Sequence, residues 1–368
     1  MHTHPNGVHD FALMIAHGVT GTRVMAGGSE YLRWRKEIDN GKLTGPTLMI
    51  AGPILFGPSA GEGNRVIQTP TEAIAEIRRQ KSEGYDFIKI HDSLTPEVYR
   101  SLVAEARRMG MPVIGHVPMT LGATSAIDAG QQCVEHLHGY CEDLVPSDAP
   151  VRPGTDYRSR AVAWRYVDSA RLDALAVTTR EAGMWNCPTL SIGVDLLDRS
   201  GVEAYLGHHG ARLLPRDRVT ALLDRSRRNW LADMSESDFQ IAVEGLKKKY
   251  ALVHALHRAG ARLLAGSDMD PWGYSLHYEL EQLAEAGLTT REALAAATIN
   301  PAEYADSAGN QGQVRKGFSA DLVILNANPL NNIRNTRQIH AVILKGRLFN
   351  RRDLDTLITT AIENLEAR

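Results

Sequence analysis

Short apolar runs alternate with stretches of helical periodicity along most of the chain. Residues 18–24 and 45–51 read as strands, being rich in Val, Ile, Thr and Leu and bounded by glycine or proline. In residues 71–79 the apolar positions recur at helical spacing, and 69–71 offers a cap region with threonine at both ends. Residues 85–90 form the next strand. Thr95, Pro96 and Glu97 then open a helix through Met109, proline being suited to a first helical position that has no N–H partner to lose. The alternation continues with strands at 112–116, 133–136, 185–190 and 261–265. The matching helices lie at 121–129, 168–182, 247–259 and 276–286. With a stub at residues 1–4 this makes eight strand–helix units. Eight units predict an α/β fold built as a closed (β/α)8 TIM-like barrel rather than an open doubly wound sheet.

Two insertions break the rhythm. Residues 140–165, rich in Pro, Asp and Arg, read as a loop. Residues 195–245 read as helical and polar, with Arg225, Arg227 and Arg228 close together on a solvated face; one of them is a candidate for meeting a substrate carboxylate. Both insertions follow barrel strands, so both are expected at the carboxyl face, where loops shape a pocket. Past residue 310 the texture changes. Residues 312–317, 320–325 and 340–344 predict a small β segment, and a helix at 354–365 follows.

The 368 residues are 43% hydrophobic and 23% charged, an ordinary composition with ample length for a large core. A net charge of -2 gives no reason to expect nucleic acid or an anionic membrane as partner. No apolar stretch nears the ~20 residues of a membrane helix. Cys133, Cys141 and Cys187 show no CxxC spacing, which argues against a disulfide framework or a zinc finger. The polar opening lacks the basic and apolar regions of a signal peptide, so the chain as it stands is expected in the cytoplasm. A missing upstream signal segment would instead make it periplasmic or secreted.

The chemistry concentrates at strand ends. His2 and His4 stand two apart, and on a strand such residues point to one side and can share a metal ion. Lys89, His116, His136 and Asp268 each lie at or just past the end of a predicted strand. In a barrel such positions converge on one mouth. Six polar groups there suit a two-metal hydrolytic centre that activates a bridging water and polarises a carbonyl oxygen. Histidines supply the neutral nitrogen ligands that divalent metals favour, and Asp268 can both ligate and act as general base. His91 and His138 share side-chain parity with Lys89 and His136, so they are candidates for the pocket wall, with His277 a further substrate-binding candidate. His208, His209, His254 and His257 read as surface or packing residues.

With these residues placed, the chain resembles the amidohydrolase superfamily, in its imidazolonepropionase-like branch of dipeptidase-type metal-dependent hydrolases. The resemblance spans nearly the whole sequence. It rests on His2-Thr-His4, Asp86-Phe-Ile-Lys-Ile90, Gly115-His-Val-Pro118, Val134-Glu-His-Leu137 and Gly266-Ser-Asp268. Ala297-Thr-Ile-Asn-Pro-Ala302, Lys316-Gly-Phe-Ser-Ala-Asp-Leu322 and Asn328-Pro-Leu330 continue it in order. It implies two divalent ions, zinc first and manganese or another metal as alternatives. His2, His4 and Asp268 would hold the more buried ion, and His116 and His136 the more exposed one. Lys89 would be carboxylated on its amine to bridge both. The implied activity is hydrolysis of an amide-like C–N bond in a dipeptide, N-acyl amino acid or cyclic amide. The implied partner is a small-molecule substrate, with a homo-oligomer allowed.

The implied domains are a hydrolase barrel over 1–308 with a truncated first strand, the C-terminal half of a small β-sandwich over 309–350, and a terminal helix over 351–368. Relatives build that sandwich from both chain ends, so this chain is expected to show an open sheet edge and exposed apolar surface. The same feature motivates an alternative, a truncated and weakly active or non-catalytic barrel. A deaminase of the superfamily is the second alternative. It is disfavoured because Lys89 is present and no acid follows His116-Val-Pro-Met119. One departure stands out. Relatives often carry an aspartate after the arginine of the second strand, where this chain reads Arg23-Val-Met25.

Overall fold

The computed structural model describes residues 1–58, 65–154, 156–192, 235–366 and isolated positions between 210 and 220. Arg225, Arg227, Arg228, His208 and His209, with most of the second predicted insertion, lie outside the described residues. The parallel strands fall where the apolar runs predict. They are β1 (His2–Thr3), β2 (Gly21–Val24), β3 (Thr47–Ile50), β6 (Ile88–Ile90), β7 (Val113–Gly115), β8 (Cys133–Glu135), β9 (Trp185–Cys187) and β10 (Arg262–Leu263). Between β3 and β6 stand two short additions, β4 (Leu55–Phe56) and β5 (Arg65–Val66).

One run of pairing goes β1-β2-β3, and a second goes β10-β9-β8-β7-β6-β4-β5. The two runs meet at both ends. Ala51 bridges Phe87 in parallel, and the Asp86 N–H donates to the Ile50 carbonyl. At the other junction the Asp268 N–H donates to the His2 carbonyl. Side chains alternating along the strands build a shared interior of Met25, Ala51, Phe87, Ile114, Cys133, Trp185, Cys187 and Leu264. Each large apolar side chain buried there contributes about 1.5–3 kcal/mol. The three cysteines are buried free thiols.

Helices pack on the outer side of these strands. Thr69 and Thr95 accept from the backbone N–H groups of Glu72 and Val98, capping α3 (Pro70–Glu83) and α4 (Pro96–Arg108), each with proline in its first turn. Then follow α5 (Ala123–Ala129), α8 (Leu172–Glu181), α9 (Glu236–Ala259) and α10 (Tyr274–Glu285). The helix predicted from residue 247 begins eleven residues earlier, where Ser235 accepts from Asp238 N–H at 3.1 Å and caps a polar first turn that apolar periodicity does not mark. Helices α1 (Val8–Ala16) and α2 (Ser29–Asp39) fill the first two β–α connections, and α11 (Thr290–Ala297) and α12 (Ile299–Tyr304) follow α10. Among the described residues no helix is long and apolar enough to cross a membrane.

The loop expected over 140–165 is instead partly helical. It folds as α6 (Tyr140–Leu144), α7 (Tyr157–Ala163) and a short 3-10 turn at Trp164–Tyr166. Its charges hide an amphipathic pattern. Asp156 caps Ser159 N–H at 2.8 Å, while Val162, Ala163 and Trp164 are buried. The C-terminal strands β11 (Leu322–Leu325), β12 (Ile339–Leu344) and β13 (Arg347–Asn350) form one antiparallel sheet. Ile339, Val342, Leu344 and Phe349 bury one face of it against Ile15 and Ala16 of α1 and Leu354 of α13 (Arg351–Glu366). Val323, Ile324 and Leu348 remain 40%, 42% and 56% exposed.

Candidate metal centre

The strand ends bring three of the six predicted ligands onto the carboxylate of a fourth, Asp268. Asp268 Oδ1 lies 3.4 Å from His2 Nε2 and 3.2 Å from His4 Nε2, and its Oδ2 lies 3.6 Å from His136 Nε2. His2 and His4 bring their Nε2 atoms within 3.2 Å of each other. Two of the rings are held from behind. Glu135 Oε2 accepts from His2 Nδ1 at 2.8 Å, and Thr189 Oγ1 stands 2.6 Å from His136 Nδ1. Such outer partners fix ring orientation and leave Nε2 directed at the common point. Burial pushes the His2 proton affinity down to about 4 and that of His136 well below its ordinary value, so both rings are neutral bases near pH 7. Burial alone would raise the Asp268 carboxyl, but its interactions with His2, His4 and His136 hold it well below the usual carboxylate range.

Backbone geometry at this mouth is uncommon. His136, Leu137, Thr189 and Asp268 have φ of 61°, 58°, 47° and 50°. Non-glycine residues in that region are few and carry a cost of order 1–3 kcal/mol each, and they cluster where a site needs an aim that regular structure does not supply. The cause is visible at β8. Its inward residues are Cys133 and Glu135, so a continued strand would turn His136 away; the left-handed step returns it to the same side.

Lys89 enters from β6 and is 2% exposed, and among the described residues its Nζ has no hydrogen-bond partner. Burial lowers its proton affinity, against the opposing pull of Glu135 and Asp268. Its stem passes over Gly115, which has φ 122°. A Cβ there would stand 2.3 Å from the Ile90 carbonyl oxygen and 2.9 Å from Lys89 Cδ. The Gly115→Ala variant is therefore expected to lose about 2–3 kcal/mol of stability, because backbone rather than a flexible tip blocks the new methyl. Urea unfolding measures this, and an unchanged midpoint would refute the close approach.

A second wing continues from His136. The His116 ring meets His136 edge-on at 4.9 Å between centroids, and packs at 4.1 Å from His138 and 4.3 Å from His91. Asp92 ties this wing together, with Oδ1 2.6 Å from His91 Nδ1 and Oδ2 3.6 Å from His116 Nδ1. Burial takes His116 down to about 3 and His138 well below its ordinary value. Among the described residues three groups could hold an ion: His2 with His136 and Asp268, His2 with Glu135 and Cys187, and His91 with Asp92 and His116. His277 is elsewhere. Its nitrogens contact Thr336 Oγ1 at 3.0 Å and the His17 carbonyl at 3.1 Å, so it joins α10 to the C-terminal segment instead of lining this mouth.

Several residues at the site carry no mark in the sequence. Glu135 lies within a quoted motif, yet its role depends on Arg23. The guanidinium of Arg23 reaches Glu135 Oε1 at 3.1 Å and Oε2 at 3.3 Å, and both side chains are buried. Burial would raise the Glu135 carboxyl, but Arg23 and His2 hold it well below its usual range. Thr189 likewise acts through His136, fifty-three residues away, and Asp92 joins its neighbour His91 to the distant His116 and Arg160.

With the geometry placed, comparison with known proteins is decisive on one point. The model of the amidohydrolase family matches residues 7–349. The chain belongs to this family. An ochratoxinase of Aspergillus niger is 25% identical over 389 residues, covering 91% of this chain; the chain spans 66% of that relative's length. Among solved structures, a bottromycin amidohydrolase superposes with a TM-score of 0.74 at 23% identity, covering 99% of this chain and 78% of the other. A Xaa-Pro dipeptidase with bound methionine superposes at 0.65 and 19% identity, covering 95% and 85%. At such identities these structures establish the amidohydrolase fold alone.

Proposed function

We propose that this amidohydrolase is a metal-dependent hydrolase that cleaves an amide-like C–N bond, working at the carboxyl mouth of a closed (β/α)8 barrel. The observation that carries the reading is the convergence of His2, His4 and His136 on Asp268, with the unpartnered Lys89 amine buried nearby. The residues fit a pair of divalent ions. The His2, His116 and His136 rings are neutral, the donor set is nitrogen and oxygen, and carboxylation of Lys89 would replace a buried cation by an anionic ligand. In the proposed assignment His2, His4 and Asp268 would hold one ion, His116 and His136 the other, and Lys89 would serve as a ligand once carboxylated. Such ions, zinc first among the candidates, supply Lewis acidity to the scissile carbonyl and acidify the attacking water.

The chain's own residues do the rest. Asp268 accepts the proton of the attacking water and returns it to the leaving nitrogen. Glu135 and Thr189 keep the His2 and His136 rings aimed. His91 and His138 wall the exposed side, where a small-molecule substrate would enter.

The test is elemental analysis of the purified chain together with a screen of dipeptides, N-acyl amino acids and cyclic amides with metal added back. About two divalent ions per chain and release of an amine are expected. Fewer than about one ion per chain, even after metal is supplied, would refute the two-ion centre.

A further inference from the structure

Two uncommon backbone steps at the mouth share one support. Thr189 and Asp268 have φ of 47° and 50°, a conformation that persists only where its surroundings over-determine it. The support is α10, which carries Ser275 and Glu279 one turn apart, both fully buried. The Ser275 hydroxyl donates to the Met269 carbonyl at 2.6 Å, so the 2.7 Å contact with Ser267 Oγ has Ser267 as its donor. Asp268 is thereby tied down through the residues on either side of it.

Glu279 holds the other step. Its Oε1 accepts from the Leu190 N–H at 3.1 Å and its Oε2 from the Ser191 N–H at 2.8 Å, the two residues that follow Thr189. The Thr189 hydroxyl donates to the Pro188 carbonyl at 2.8 Å, so it acts as acceptor toward His136 Nδ1, 2.6 Å away. That bond places the ring proton on Nδ1 and leaves Nε2 bare for a metal. The Ser191 hydroxyl, also in contact with Glu279, donates to the Ser267 carbonyl at 3.1 Å. One carboxylate thus joins the chain after β9 to the chain after β10. Burial pushes Glu279 up to about 7 while the bonds from Ser191 and Leu190 pull it down, and among the described residues no cation offsets its charge. An apolar side chain of similar size would pack α10 at less cost.

We propose that Glu279 is a positioning residue of the metal centre. It fixes the Leu190–Ser191 backbone that sets Thr189 behind His136, and through Ser191 it fixes the Ser267 carbonyl beside Asp268. The proposal rests on the metal-dependent reading of this mouth. A carboxylate is required because two N–H groups need two acceptor atoms. The amide of glutamine offers one oxygen and turns its own N–H groups toward the second donor.

Zinc titration of the metal-free full chain against a chromophoric chelator, at about pH 8.5 so that Glu279 is ionised, tests this beside thermal unfolding. The Glu279→Gln variant should hold zinc roughly ten- to hundredfold more weakly than the wild type. Leu283→Ala empties a buried site one turn further along α10; it should unfold at a lower temperature and keep the wild-type zinc affinity. Wild-type affinity in Glu279→Gln would overturn the proposal and leave the metal centre standing. So would an equal loss in Leu283→Ala, since general loosening of the helix would then suffice. A wild type that takes up no zinc would remove the metal reading itself, and this proposal with it. Should Glu279→Gln not fold, Ser191→Ala removes only the hydroxyl link to Ser267. Weaker zinc binding is then expected, and unchanged binding would overturn the proposal.

Discussion

The Asp268→Asn variant is expected to lose roughly three orders of magnitude in kcat while its unfolding midpoint stays within about two degrees of wild type. The size follows from the role. General base catalysis is worth about 10²–10⁴, and an amide of nearly the same volume cannot take the proton. The preserved fold follows from the backbone. Asp268 sits at φ 50°, a region asparagine tolerates better than other side chains, so the exchange adds no strain. The amide oxygen can still face His2 and His4, whereas a charged ligand is lost, so metal content should fall as well. Steady-state kinetics, thermal unfolding and metal analysis on one preparation separate these effects. Turnover equal to wild type would sink the general-base assignment, and a collapsed midpoint would reassign the residue to folding.

Glu135 should produce the largest loss of stability. Its carboxylate is buried and shared by Arg23 on one side and His2 on the other. Desolvating such a pair offsets much of its attraction, so the intact pair adds little net stability. Breaking it is another matter. Glu135→Ala leaves the Arg23 guanidinium uncompensated among Cys133, Cys187 and the Tyr304 ring, and about 3–5 kcal/mol is expected to be lost. The double variant Arg23→Met with Glu135→Leu should recover a substantial part of this, because no lone charge remains. Urea unfolding of the single and double variants decides the matter. A double variant no more stable than Glu135→Ala would show that packing, rather than the orphaned charge, carries the loss.

The same pair fixes a direction with pH. The folded Glu135 carboxyl titrates below its unfolded counterpart, near 4.3 in model peptides. Its contribution is therefore fully present above that value and is lost as pH falls toward the folded one. Acid unfolding should accordingly begin below about pH 4–5 in the wild type and show a weaker pH dependence in the double variant.

Much of the strand order was readable because it rests on local signals. Apolar runs between glycine and proline marked the strands, and Thr69 and Thr95 marked two helix starts by a hydrogen bond made within three residues. What escaped was local pattern masked by charge. The segment from Asp156 to Trp164 reads as a loop because it continues a stretch rich in proline, aspartate and arginine, yet its Val162, Ala163 and Trp164 are buried. His277 was misplaced for a related reason. Its position at the start of the helix after the last strand fits a pocket residue, but its orientation depends on Thr336, fifty-nine residues away.

The sequence by itself determined the kinds of donor available and the strand ends that carry them: His2, His4, Lys89, His116, His136 and Asp268. Periodicity is a property of neighbouring residues, and it reaches that far. Tertiary structure decided how those donors meet. Strand alternation would have sent Glu135 and His136 to opposite sides, and only the left-handed turn at His136, braced by Thr189, aims both at one centre. Arg23 acquired its role from Glu135, and His136 its brace from Thr189. Each of these depends on groups brought together across many residues, where packing and charge compensation are settled by the whole fold and not by any stretch of chain.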